Sequence, residues 1–257
     1  MPRWRLDSPA RCPKRVEAYA LAKSAKSRRL SFVSVAARLA TAAILAWVLV
    51  TASIVMALRW VPPPVTSFML QQPGAVRDVQ YTWMNRDRIA VTAARAVIAA
   101  EDQKFIDHNG LDFGSIDQAI EDYRSGDGLR GASTITQQVA KNLFLWSGRS
   151  FVRKGLEAYF ALLLEVCWSK QRILEVYLNI AEFGPRVFGV EAAAQRFFGT
   201  NASALSTSQA ALLAAVLPNP QSLHAADPSP YVRGRQAWVL AQMRLLEARG
   251  HYRGLTW

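Results

Sequence analysis

Cysteine and histidine are scarce: two Cys and three His in 257 residues. Such a chain cannot build a multi-bridge disulfide framework, and it offers no Cys/His cluster with metal-ligand spacing. Cys167 lies in an apolar helical run and reads as a small core residue, while Cys12 lies in a basic leader. Acidic residues are also few, 19 against 31 Lys and Arg, for a net charge of +12. A uniform excess of that size would suggest nucleic acid, but the excess is localised. Residues 1–38 hold ten basic side chains against Asp7 and Glu17 and so carry +8 of the +12. The remainder is only mildly basic, so the expected partner of this charge is a membrane surface, with no nucleic acid.

Charge is absent altogether from LATAAILAWVLVTASIVMAL, residues 39–58, which Arg38 and Arg59 bracket. As a helix, twenty residues span about 30 Å, the thickness of a bilayer's hydrocarbon core. The run is longer than the core of a cleavable signal, and Trp60 and a Pro triplet follow it rather than a small-residue cleavage site. The expected organisation is a basic cytoplasmic tail over 1–38, a transmembrane helix over 39–58 and an extracytoplasmic domain over 59–257. The positive-inside rule sets that orientation and makes the cytoplasmic (inner) membrane the expected location.

No strand-rich stretch and no internal repeat occurs in the outer portion. Helical periodicity predicts elements over 88–105, 115–124, 134–144, 151–168, 170–180, 189–197, 206–216 and 230–248, so the fold class is mainly α. The segment VPPPVTSFMLQQ (61–72) reads equally as part of a membrane-facing groove or as a plain tether.

Three stretches carry polar groups where chemistry is plausible. In EDQKFIDHNGLD (101–112), Glu101 falls in the middle of the apolar stripe formed by Ala90, Ala94, Ile98 and Phe105, and Asp102 falls at its border beside Arg95. A carboxylate on a buried face has its pKa raised towards neutrality, where it serves as a general base; the bland alternative is a buried Glu capping a neighbouring helix. Asp102 reads as an orienting partner, and His108 and Gly110 as residues of the turn. In GASTITQQVAKN (131–142), Thr134 and Gln137 fit a capping box. The helix start, with Ser133, Thr136 and Lys141, suits an anion, and the amides of Gln137 and Gln138 suit sugars. In RSFVRKGLEAYFALLLEVCWSK (149–170), Arg153, Lys154 and Glu157 share one face behind Arg149, either as a surface ion-pair cluster or as a cationic clamp for phosphate. The rest of that helix is apolar all round and is expected to be buried. Phe144, Leu145 and Trp146 read either as core or as residues dipping into the bilayer.

In order and spacing, EDQKFIDHNGLD, GASTITQQVAKN, RKGLE and KQRILEVYLNIAEFG resemble the motifs of the family 51 peptidoglycan glycosyltransferases. GVEAAAQRFFG and LPNPQSLHAADPSPYVRGRQAW resemble its later segments. The resemblance covers about residues 60–250 and stops where class A penicillin-binding proteins continue into a transpeptidase domain, which implies the monofunctional form. It implies a lysozyme-like, mainly α domain with a membrane-proximal lobe. It also implies polymerisation of lipid II into β-1,4 glycan, with inversion and release of undecaprenyl pyrophosphate. Expected partners are lipid II, the growing lipid-linked glycan, the bilayer, and cell-wall synthesis or division proteins.

By motif, Glu101 corresponds to the general base and Glu157 to a second glutamate, which assists pyrophosphate departure directly or through a divalent cation (Mg or Mn). No cofactor is required by the sequence itself. Lys141, Arg149, Arg153 and Lys154 correspond to cations around the pyrophosphate. Ser133, Gln137, Gln138 and Asn142 correspond to the polar wall of the cleft, with Asp102 and Phe105 counted among the substrate contacts. Ala132 stands where the family usually has a second glycine, which predicts a stiffer loop. The main alternative is a lysozyme-like lytic enzyme that cleaves glycan, which has no evident need of the cations. A non-catalytic anchor in a wall-building complex is the third reading.

Overall fold

The computed structural model describes residues 13–125, 133–148, 150–255 and 257; the expectations for Ala132 and Arg149 lie outside the described residues. The chain divides into two units, Met1–Ile54 and Val55–Trp257. The first consists of most of a long helix, α1 (Pro13–Leu58). Its stretch Ser34–Leu58 has a mean hydropathy of 2.3 and is long and apolar enough to cross a membrane. The hydroxyls inside this stretch are satisfied along the helix itself. Thr41 donates to the Ala37 carbonyl, Thr51 to Trp47 and Ser53 to Leu49, so none needs water.

The second unit is helical around a core rich in alanine. α2 (Ser67–Leu70) precedes α3 (Val91–Glu101), α4 (Phe113–Ser125), α5 (Ile135–Phe144), α6 (Phe151–Cys167), α7 (Lys170–Ile180), α8 (Val190–Phe198), α9 (Thr207–Val216) and α10 (Pro230–Ala248). α3, α9 and α10 pack on one another, and α5 packs on α6 and α7. Small side chains make the first group possible. Ala93, Ala94, Ala96 and Ala99 on α3, and Ala210, Ala211, Ala214 and Ala215 on α9, are all buried and let the helix axes approach closely.

Helix starts follow capping chemistry. The side chains of Thr134, Ser150, Ser169, Ser206 and Ser229 each accept a backbone N–H of the first turn, with full capping boxes at Thr134 and Ser206. These signals explain why α7 and α10 begin where periodicity predicts. α3 is shorter than predicted, stopping at Glu101, because Asp102 takes an extended φ of −158° and the chain turns. α6 departs from expectation too. Glu157, Phe160, Ala161, Leu164 and Cys167 face inward, but Phe151, Val152 and Val166 are exposed, so an all-apolar helix is buried on one side only.

A small sheet also escapes sequence periodicity. β1 (Gln80–Tyr81), β2 (Glu182–Gly184) and β3 (Val187–Phe188) lie in the order β1-β3-β2, with β1 parallel and β2 antiparallel to β3. Strands of two or three residues are too short to alternate visibly. After β3 the chain must turn at Gly189, whose φ is +85° and where a Cβ would sit 2.5 Å from the Asn179 carbonyl oxygen. Fully buried Asn179 in turn fastens the segment before α3. Its amide donates to the Met84 carbonyl, and its oxygen accepts the Met84 N–H at 2.7 Å.

Candidate active site

Glu101 is the last residue of α3 and borders a cleft of about 310 Å³, shared with Asp102, Lys104, Asp112, Ser115 and Ser133. Its Oε2 accepts a hydrogen bond from Gln138 Nε2 at 2.8 Å. The orientation of that amide is set from behind, because Tyr177 donates its hydroxyl to Gln138 Oε1 at 3.1 Å. Burial, together with the charges of Glu101 and Asp102, raises the Tyr177 pKa well above its ordinary value. The phenol therefore stays a donor, and the amide must turn its N–H towards Glu101. Burial also raises the pKa of Glu101, against the opposing effects of the Gln138 hydrogen bond and the charges of Arg235 and Lys141. The result is a carboxylate with a raised proton affinity on the edge of a cleft, as a general base requires.

Asp102 has a different task. Its oxygens lie 2.9 and 3.1 Å from His108 Nε2, and Oδ2 accepts the Ile135 N–H at 3.0 Å. The other ring nitrogen of His108 accepts the Gly110 N–H, which fixes the tautomer with the proton on Nε2 when the ring is neutral. Asp102 thus ties the end of α3 to the first turn of α5 and holds Glu101 and Gln138 in register. Arg95, expected beside Asp102, forms its ion pair with Glu247 at 2.6 Å, while Asp102, which also lines the cleft, bonds to His108 and the Ile135 N–H. Phe105, expected among the substrate contacts, is fully buried, edge-on to His108 and beneath the Lys170 ammonium. Gln137, expected in the cleft wall, is buried as well. It is 2% exposed, and its carbonyl oxygen accepts the Thr134 N–H in the capping box.

The second carboxylate, Glu157, is 3% exposed and is held by two cations. Arg153 donates to its Oε2 at 3.0 Å and Lys154 to its Oε1 at 2.5 Å. Lys154 also donates to Ser133 Oγ at 3.1 Å, which joins this cluster to the cleft wall. Arg153 keeps its Nε–H without a partner among the described residues.

Lys141, in the last turn of α5, links the two carboxylates electrostatically. Burial lowers its pKa, the attraction of Glu157 opposes that, Arg153 and Lys154 lower it further, and Glu101 pulls it up. Among the described residues no carboxylate lies within ion-pair distance of Lys141; its ammonium instead rests 5.0 Å from the Phe68 ring. Asn142 is buried on the same helix. Lys141, Arg153 and Lys154 with one glutamate leave an excess of positive charge, which an incoming anion would balance.

A divalent ion does not suit this cluster. Both Glu157 oxygens already accept from cations, and among the described residues no group of three or more His, Cys, Asp or Glu could hold a metal.

Sequence reasoning missed several participants. Arg235 acts on Glu101 from α10, 134 positions away in the chain, and no local signal marks it. Tyr177 and Phe68 sit inside apolar patterns that read as core or tether. Asp112 had a signal, since an Asp three residues before Ser115 is a capping pattern. Burial pushes its pKa up, but the Ser115 hydroxyl and N–H and Lys104 outweigh that and lower it.

The transglycosylase family model matches residues 69–244, the whole stretch from α2 into α10. Among curated proteins, the biosynthetic peptidoglycan transglycosylase of a Marinomonas species is 56% identical over 188 residues, which cover 73% of this chain and 82% of that protein. The protein of the same name from Pseudomonas aeruginosa is 52% identical over 206 residues, 77% of this chain and 89% of the relative. That from Shewanella oneidensis is 50% identical over 196 residues, 75% and 84% of the two chains. Matching that extends through the cleft, both carboxylates and the cations means that this chain belongs to the transglycosylase family.

Proposed function

We propose that the chain is a membrane-anchored peptidoglycan glycosyltransferase that polymerises lipid II. Glu101 takes the proton of the acceptor's 4-hydroxyl as that oxygen attacks the anomeric carbon of the donor. The bond from this carbon to the pyrophosphate oxygen breaks, the electron pair leaves with undecaprenyl pyrophosphate, and a single displacement inverts the configuration. Lys141, Arg153 and Lys154 receive the negative charge as it develops, which lowers the barrier most where the cations are already in position. Arg149 is assigned the same role by its motif. Glu157 keeps Arg153 and Lys154 gathered, and its two partners favour this direct part in pyrophosphate departure. Gln138 orients the base, Ser133 contributes to the cleft wall, and Asn142 is assigned there by its motif.

The observation that carries this reading is a desolvated Glu101, fixed by Gln138, with Lys141 acting electrostatically on it and on Glu157. The relatives are covered over 82–90% of their own length, which favours a glycosyltransferase acting without a second catalytic domain. The apolar helix and the basic leader before it support a single-pass anchor in the inner membrane, with the tail inside and the domain at residues 59–257 outside. Exposed Trp60, Val61, Phe151 and Val152 suit a surface lying against lipid. Incubating the purified full chain in detergent or nanodiscs with labelled lipid II tests the reading. Lengthening glycan chains are expected; shortening of preformed glycan without polymerisation would identify a lytic enzyme instead.

A further inference from the structure

Beyond the cleft, α10 carries a surface that its packing does not explain. Val232, Val239, Met243 and Leu246 turn inward and are buried, yet two large aromatic residues of the same helix face solvent. Tyr231 is 61% and Trp238 44% exposed. They are seven residues apart, about 10 Å along the helix axis, which is roughly the span of two linked pyranose rings. Between them lies Gly234. A Cβ there would meet nothing within 4 Å, and the backbone does not need positive φ, so neither packing nor conformation calls for glycine. A mid-helix glycine nevertheless weakens the helix. Its effect here is a depression of about 450 Å³, lined by Tyr231, Gly234, Arg235 and Trp238.

A hydrogen bond connects the helix that carries this surface to the wall of the cleft. Gln103, which lines the cleft beside Glu101, donates to Gln242 Oε1 at 3.3 Å, and Gln242 lies one turn beyond Trp238 on the same side of α10. Arg235, within the depression, is held by its Nε–H on the Ala215 carbonyl at 3.2 Å, and its charge acts on Glu101. Among the described residues Arg235 has no carboxylate within ion-pair distance, so its remaining N–H groups are not engaged by a protein acid.

We propose that Tyr231, Arg235 and Trp238 form a shelf that binds the sugar rings of the glycan strand where it leaves the cleft. The proposal rests on the glycosyltransferase reading and extends its substrate contacts beyond the reacting rings. Pyranose rings linked through equatorial bonds have flat C–H faces that pack on aromatic rings, with hydroxyl and acetamido groups projecting at their edges. The aromatic faces of Tyr231 and Trp238 suit the first, and the Arg235 guanidinium and the Gln242 amide suit the second. The glycine gives a bulky acetamido group room between the two rings.

The probe is a β-1,4-linked N-acetylglucosamine hexamer, titrated calorimetrically into the full chain in detergent. Product length from labelled lipid II is measured in parallel. Trp238→Ala is expected to weaken hexamer binding about tenfold and to shorten the glycan chains, while Trp238→Phe restores most of both. Trp238 is partly exposed, so thermal melting should confirm that the variants fold. No saturable hexamer binding by the parent chain, or equal affinity and equal chain length after Trp238→Ala, would overturn the proposal. A variant that loses binding to anionic lipid vesicles but keeps hexamer affinity would also overturn it, by assigning this face to the bilayer. The two readings fail separately. A chain that binds the hexamer but does not polymerise lipid II sinks the enzymatic assignment and leaves the shelf. A polymerase indifferent to Trp238 sinks the shelf alone.

Discussion

Replacing Glu101 by Gln and, separately, Asp102 by Asn should produce opposite patterns of damage, although the two carboxylates are adjacent in the chain. Glu101→Gln keeps the shape and an acceptor for Gln138 Nε2 but removes the proton acceptor, so polymerisation should fall about 10²–10⁴-fold. Its stability should not fall. The folded-state pKa of Glu101 is raised above that of the unfolded chain, so the ionised form weakens the fold as pH rises through the folded value. Gln escapes that penalty. The variant should therefore melt at or above the parent temperature near about pH 8, and the difference should close as pH falls towards the ordinary glutamate range of about 4.3. Asp102→Asn does the reverse. It removes the charge from the oxygen that accepts from both His108 and the Ile135 N–H, and sets an NH2 in place of Oδ1, 3.1 Å from His108 Nε2. Two bonds stripped of charge assistance and one donor set against another come to about 3–5 kcal/mol. For a domain of this size that is a drop of roughly 6–20 °C in Tm. Activity should decline only as far as the register of Glu101 and Gln138 loosens, and the pH dependence of the residual rate should keep its shape. Differential scanning fluorimetry across pH, with lipid II polymerisation in the same buffers, reads both. If Glu101→Gln polymerises normally while Asp102→Asn is dead but fully stable, the roles are exchanged and the argument fails.

Other perturbations address the cations and the frame. Lys141→Ala should lower turnover about 10²-fold and, because Lys141 holds the Glu101 pKa down, should move the acid limb of the rate profile to higher pH; an unmoved limb would separate Lys141 from the base. Glu157→Gln leaves partly buried Arg153 and half-exposed Lys154 without their carboxylate, at about 2–4 kcal/mol, seen as a lower urea midpoint with an unchanged slope. Gly189→Ala forces a Cβ into the Asn179 carbonyl at positive φ and should destabilise the chain by about 2 kcal/mol or more, again read from the urea midpoint.

The parts of this structure that were legible in the sequence are those decided within a few residues. Ser and Thr caps set helix starts, and the capping box at Thr134–Gln137 could be read from two letters three apart. The structure uses the carbonyl oxygen of Gln137 for that cap, which the two letters already implied. Glu101 was identifiable because a charge on an apolar stripe is anomalous, and anomalies survive without tertiary knowledge. Phe105 reads as part of that stripe, and it is buried although the helix ends before it.

What stayed hidden depends on which helices meet. Whether Arg235 influences Glu101 is set by the packing of α3 and α10, and nothing in either segment states their register. The orientation of the Gln138 amide likewise depends on a phenol on α7, whose own pattern marks Tyr177 only as core. The anomaly of Glu101, the proposed base, is therefore readable from its own helix, whereas the groups that act on its pKa come from helices whose register only the folded chain defines. Variants of Arg235 and Tyr177 should accordingly alter how readily Glu101 takes a proton while leaving the identity of the base unchanged. A shift in the pH dependence of polymerisation larger than the loss in its plateau rate is the pattern expected of such tuning groups, and the opposite pattern would make either residue a direct participant.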